Sequence, residues 1–153
     1  MEKRQTTGWR NPALIYGLAM LSALIGMGDA LYLTIQHLTG KSVKCSITNG
    51  CSVVLSSSYA TIAGIPTAAF GVLAYFAAFS LATLAAFGYG WARTLLLLVV
   101  TPMLLTTLWL VYLQAFVLHA FCQFCLLSAA LTLLLTCLAL AGKFKVPIQP
   151  PGN

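Results

Sequence analysis

TLLLLVVTPMLLTTLWLVYLQAFVLHAFCQFCLLSAALTLLLTCLALAG, residues 94–142, is almost unbroken in its hydrophobicity. As a single helix it would reach about 70 Å at 1.5 Å per residue, whereas a bilayer core is only about 30 Å thick. The run must therefore fold back on itself. His119 is the least apolar residue near its centre and places the reversal, which resolves the stretch into two spans, Leu95 to Leu118 and about Phe121 to Ala141. Pro102 falls inside the first of these and predicts a kink, which membrane helices tolerate where neighbours satisfy the freed carbonyl.

Working outward, Thr67 to Phe87 forms another apolar run, with Pro66 at its first turn, where a missing backbone N–H costs nothing. Gly88 and Gly90 mark the short turn into the stretch above. The first run, Ala13 to about Ile35, is interrupted only by Asp29 and is preceded by Lys3, Arg4 and Arg10. Such charges also flank signal peptides, but the run exceeds the roughly 7 to 15 apolar residues of a signal h-region, and no small-x-small cleavage site follows it. It reads as a retained span. Composition agrees: 60% hydrophobic residues, 7% charged and a mean hydropathy of +0.94 lie far from the roughly 25% charged average of soluble domains. A span needs roughly 20 apolar residues, so 153 residues hold four with little left for a separate soluble domain. The expected fold is an all-α membrane protein, a four-transmembrane-helix bundle forming one integral membrane domain over residues 1–153, with lipid around it and no nucleic-acid partner.

The only long polar loop, Gln36 to Ile65, carries a short apolar segment. Thr48 and Asn49 are placed to cap a helix starting near Gly50, and Cys51 to Tyr59 holds Val53, Val54 and Leu55 among serines. Nine residues cannot cross a bilayer, so this helix is expected to lie at the interface or dip into the bundle mouth, lidding the fourth span and bringing Cys51 near Cys122. Orientation follows from basic residues near the span ends: Lys3, Arg4, Arg10, Arg93, Lys143 and Lys145 fall on one side, and only Lys41 and Lys44 on the other. Both termini are expected in the cytoplasm, and both cysteine pairs, Cys45 with Cys51 and Cys122 with Cys125, face the opposite, disulfide-permitting compartment.

Two cysteine pairs in series can relay two electrons, because thiol–disulfide exchange needs only a thiolate attacking a disulfide sulfur. The loop pair is reachable from the aqueous side. Cys122-Gln123-Phe124-Cys125 opens an apolar run, where a helix N-terminus stabilises a thiolate. A pocket for a membrane acceptor beside it needs apolar and aromatic walls with a few polar groups; Phe70, Tyr75 and Phe121 supply walls and Ser57 a donor.

Cys45-x5-Cys51, then Val54-Leu55-Ser56-Ser57-x-Tyr59-Ala60, Gly64-Ile65-Pro66 and Phe70-Gly71, with Cys122-x-x-Cys125 opening the last span, resembles the vitamin K epoxide reductase family over most of the chain. The order of motifs carries the resemblance. DsbB-type quinone reductases also use four spans and two cysteine pairs but place Cys-x-x-Cys in the first external loop. The resemblance implies a bundle holding a quinone (ubiquinone, menaquinone or vitamin K type) beside the last-span motif. It implies that Cys45 exchanges with a thioredoxin-fold partner, that Cys51 attacks Cys122, and that Cys125 faces the quinone. Ser57 would hydrogen-bond there, and Leu55, Thr67, Phe70, Tyr75 and Leu118 match pocket positions. Bacterial relatives often carry a fused thioredoxin-like domain after the last span, whereas this sequence stops at Asn153, so a separate DsbA-like dithiol oxidase is the expected partner and a bacterial cytoplasmic membrane the expected location. Vertebrate relatives have a tyrosine four residues after the second motif cysteine; Ala129 stands here, which argues against vitamin K epoxide as substrate.

Other readings attach to the same residues. The alternatives are a quinone or quinone-epoxide reductase whose product is the reduced quinone, and a structural tetraspan protein with inert disulfides. Four cysteines also suit zinc, but closed zinc sites use two short-spaced pairs on flexible ribbons or knuckles. Cys137 reads as a packing residue. Asp29 is a functional-site hypothesis by virtue of its place in a span, or a group reaching the interface; His119 is a quinone proton shuttle or a solvated histidine. Trp9 and Trp91 suit interface anchors and Trp109 packing.

Overall fold

The computed structural model describes residues 11–41, 43, 45–46 and 50–145. Lys3, Arg4, Trp9, Arg10, Lys44, Thr48 and Asn49, read above as flanking charges, an interface anchor and helix caps, lie outside the described residues. In chain order the elements are α1 (Pro12–Leu38), the short α2 (Cys51–Ser56), strands β1 (Thr61–Ile62) and β2 (Ile65–Pro66), α3 (Thr67–Ala86), α4 (Gly90–Tyr112) and α5 (Gln123–Lys145). A single 3₁₀ turn, Ser58–Ala60, follows α2, and a π turn, Leu113–Val117, continues α4. Four helices, α4 counted with its π turn, are long and apolar enough to cross a membrane, as the hydropathy requires.

The reversal falls where the sequence puts it. His119 adopts φ 47°, in the left-handed region, and turns the chain from the end of the π turn into α5. The boundaries differ in instructive places. α1 runs on to Leu38, three residues beyond Ile35. α4 starts at Gly90, not Leu95, because Ala92 and Arg93 are buried against the bundle and the Arg93 guanidinium lies over the Tyr16 ring, 5.9 Å from its centroid. Arg93 is thus a cation held on an aromatic face, not the loose flanking charge of the sequence reading. α4 passes through Pro102 as continuous α-helix; the departure from α geometry comes later, where the Leu118 N–H donates to the Leu113 carbonyl at 2.8 Å.

The loop helix is shorter than Cys51 to Tyr59. Ser57 leaves helical geometry with ψ 154°, and its Oγ donates to the Val54 carbonyl at 2.7 Å. A two-residue antiparallel hairpin follows, Thr61 opposite Pro66 and Ile62 opposite Ile65. Ala63 and Gly64 both have positive φ, 52° and 81°, which is what a two-residue type I′ hairpin loop needs. The hairpin is too short to leave an alternating pattern in sequence. It delivers Pro66 in extended geometry as the residue before α3, not within its first turn.

The four long helices form a ring in which α1 packs on α3, α3 on α4, α4 on α5 and α5 on α1. Lipid tails are as apolar as leucine, so helices in a bilayer associate through close fit, which small residues allow. The α1–α3 seam follows that rule: Ala19, Ala23, Gly26 and Ala30 recur at steps of three and four and are buried, as are Tyr75, Ala78, Ala82 and Ala85 opposite. Large apolar side chains such as Phe76, Leu105, Leu108 and Phe116 point outward. So do Trp109, stacked on Tyr112 at 5.8 Å, and Cys137, neither of which is the interior packing residue read from the sequence.

Gly26 has no side chain because the Tyr75 ring occupies its space; a Cβ there would sit 2.5 Å from Tyr75 Cζ. Gly26→Ala is therefore expected to destabilise the bundle by about 1–3 kcal/mol through overpacking, read as an earlier midpoint of thermal unfolding in detergent than the parent shows.

Candidate functional site

Cys45 and Cys51 form a disulfide, with Cα atoms 5.7 Å apart, while Cys122 and Cys125 are free thiols. The sulfurs of Cys45, Cys51 and Cys122 all lie within 4.8 Å of one another. Burial grades along the series: Cys45 is partly exposed, Cys51 and Cys122 are sealed, and Cys125 is again partly open, but to the interior cavity described below. Three clustered sulfurs resemble the start of a soft-metal site, yet two of them are bonded to each other and have no thiolate to give a metal.

Backbone proximity creates this cluster. Gly50, immediately before α2, lies against the main chain of Phe121: a Cβ on Gly50 would fall 2.6 Å from the Phe121 N and 2.7 Å from its carbonyl oxygen. Only glycine lets the two backbones meet so closely, and the next residue of each segment is a cysteine. Leu33, Val43 and Val54 close an apolar shell around Cys51 and Cys122.

Cys122 is the residue from which α5 starts. Its sulfur accepts a hydrogen bond from the Cys125 thiol and others from the backbone N–H groups of Cys125 and Phe124, taking up donors that a helix N-terminus leaves orphaned. These contacts, led by the Cys125 thiol and opposed by burial, pull the Cys122 thiol down to about 7. The Cys122 N–H donates in turn to Gln114 Oε1 at 2.9 Å, and the Ala120 N–H to the Gln114 carbonyl at 3.1 Å. One residue of the π turn thus grips both ends of the approach to α5.

A cavity of about 670 Å³ opens beside Cys125 between the four helices and the loop. Leu55, Ser57, Thr67, Phe70, Tyr75 and Leu118, the six pocket positions picked out above, all line it. Phe121, read as a wall, does not; its side chain is exposed and its backbone serves the contact with Gly50. His119 is exposed in the turn and does not line the cavity either. Several polar groups on the walls are engaged. Ser57 donates to Val54, the Thr67 hydroxyl to the Tyr59 carbonyl at 3.3 Å, and the Tyr75 hydroxyl lies 2.8 Å from both Ser128 Oγ and Thr132 Oγ1. Ser57 as found therefore offers a lone pair, and its proton only if the bond to Val54 opens.

Two buried lining residues keep an unpartnered polar atom. Asp29 is buried among the helices, nine residues or about 14 Å before the end of α1. Its Oδ2, and Gln114 Nε2, have no hydrogen-bond partner among the described residues. An orphaned buried polar atom costs about 1–3 kcal/mol, which makes both groups candidates for contact with an occupant. Gln114 went unread in the sequence, although a carboxamide inside an apolar span is itself the signal.

Fold and site together define a tetraspan membrane protein in which a disulfide, a thiol pair and an apolar cavity follow one another. The sequence profile of the Vitamin K epoxide reductase family matches residues 18–140. The chain belongs to that family, whose members are membrane oxidoreductases that use quinones.

Gly50→Ala is expected to push α2 away from Phe121 and slow the closing of a Cys51–Cys122 disulfide by about tenfold or more, measured in a Cys45→Ala, Cys125→Ala background after addition of diamide, which takes up the two electrons and two protons of the thiols. The Cys122 thiolate is expected to form as pH rises through about 7. Ultraviolet thiolate absorbance, parent minus Cys122→Ala, checks this: the signal is present above that pH and lost below it.

Proposed function

We propose that this chain is a dithiol:quinone oxidoreductase that reoxidises a thioredoxin-fold partner and so supports disulfide formation in exported proteins. The observation that carries the reading is the order of the sulfurs: a partly exposed Cys45, then Cys51 and Cys122 in mutual reach, then Cys125 on the cavity wall. A DsbA-like dithiol attacks the loop disulfide at Cys45 and leaves oxidised, with Cys45 and Cys51 as thiols. The Cys51 thiolate then attacks Cys122 of the oxidised Cys122–Cys125 pair, and Cys125 departs as thiolate. Cys45 resolves the mixed disulfide, which restores the Cys45–Cys51 bond and leaves Cys122 and Cys125 reduced, the arrangement found here. The quinone, when bound, supplies the two-electron acceptor that lets the Cys122–Cys125 disulfide re-form; the two thiol protons released equal the two a quinol carries.

The cavity suits such a guest. Its volume falls within the roughly 300–1,000 Å³ of small-molecule sites. Its lining runs from Leu118 back to Leu98, about 30 Å along the helix, enough for a ring near Cys125 and an aliphatic tail beyond. This reading sets the end with the loop and Cys122 on the external side of a bacterial cytoplasmic membrane and both termini inside, on the balance of basic residues. Ala129 lies outside the cavity lining, and the epoxide alternative gains no support from it.

Quinone reduction by the purified protein, given a reduced thioredoxin-fold donor, tests the reading. Cys45→Ala, Cys51→Ala, Cys122→Ala and Cys125→Ala are each expected to lower the rate by roughly a thousandfold or more. With a small dithiol in place of the protein donor, activity retained in the two loop variants but lost in the other two would assign the loop to partner access. An inert parent, or full activity in Cys122→Ala or Cys125→Ala, returns the chain to a structural tetraspan. A quinone-epoxide arm separates the reductase alternative.

A further inference from the structure

Gln114 is 1% exposed, sits in the π turn at the end of α4, lines the cavity, and uses only half of its side-chain amide. Oε1 takes the Cys122 N–H at 2.9 Å, so the orientation of the amide is fixed by a backbone donor, and the nitrogen must be Nε2. That nitrogen carries two N–H donors and meets no acceptor among the described residues. Five other hydroxyls on the wall are committed: Ser57, Thr67 and the Tyr75, Ser128, Thr132 group bond one another or backbone carbonyls. A quinone presents carbonyl oxygens that accept hydrogen bonds, and these gain strength as charge builds on the oxygen during reduction.

We propose that Gln114 is the hydrogen-bond donor to the carbonyl oxygen of the bound quinone, and that the same amide, by holding the Cys122 backbone, ties the position of the thiol pair to that of the ring. The π turn makes this possible. One surplus residue per turn brings Gln114 inward and leaves its main-chain carbonyl for the Ala120 N–H, so the residue is fixed on both sides before a quinone enters. The proposal rests on the quinone reading above.

The test compares the parent with Gln114→Glu and Gln114→Met, using short-tailed ubiquinone and menaquinone analogues carrying ¹³C carbonyls. Three quantities are read: the rate of Cys51–Cys122 exchange without quinone, KM and kcat for each analogue, and the carbonyl stretching frequency of the bound analogue by infrared difference. Gln114→Glu, at a pH where the carboxyl is ionised, keeps an acceptor for Cys122 but has no donor. It is expected to raise the quinone KM by about tenfold and to shift the carbonyl band to higher frequency, with a smaller loss in exchange than Gln114→Met, which lacks both functions. Parental KM and an unshifted band in the variants overturn the proposal. Should Gln114→Glu fail to fold, the KM and infrared comparison in Gln114→Met decides. A parent that neither binds nor reduces the analogues overturns the functional reading and the proposal with it, whereas a competent parent indifferent to Gln114 overturns the proposal alone.

Discussion

The close approach of two backbones, Gly50 against Phe121, is the constraint on which the rest of the molecule depends. A disulfide in a polar loop and a thiol pair at a helix head have no chemical connection unless their sulfurs meet, and thiol–disulfide exchange tolerates little slack in distance. The loop cannot be held by burying a large face of its own, since α2 has six residues. It is held instead by the apolar shell around Cys51 and Cys122 and by the hairpin that returns the chain to α3. The four-helix ring beneath supplies the rigid frame, built through small residues where α1 meets α3.

Burial and reactivity are reconciled at Cys122 by the helix it begins. Sealing a thiol away from water disfavours the charged form. Here the first backbone N–H groups of α5 and the Cys125 thiol converge on the sulfur and outweigh that cost. The orphaned donors at a helix start thereby do chemical service, and the geometry persists because Gln114 secures the backbone behind the sulfur.

Much of this was legible in the sequence, for clear reasons. Hydrophobic run length against bilayer thickness fixed the four spans and the reversal at His119, and cysteine spacing marked two pairs, from which the fold brings the sulfurs of Cys45, Cys51 and Cys122 within 4.8 Å of one another. The six pocket positions from Leu55 to Leu118 gather on one cavity. What escaped was set by tertiary contact. Arg93 looked like an interface charge until the Tyr16 ring gave it a place inside the bundle. Phe121 looked like a wall because a phenylalanine beside a site usually is one; its main chain is what matters. Gln114 was hidden by the π turn, because hydropathy records neither which way a residue faces nor an extra residue in one turn. The hairpin at Ala63–Gly64 was too short to show periodicity.

The π turn has one more consequence. Each residue of a helix advances the direction of its side chain by about 100°, so a single surplus residue between Leu113 and Val117 sets the heading of all that follows up to the turn. Removing one codon from that stretch would leave hydropathy and span length nearly unchanged, yet it would swing Leu118 off the cavity wall and withdraw the carbonyl that receives Ala120. In this chain, a gap in that short segment therefore disturbs the site more than a conservative apolar substitution across the surrounding helix.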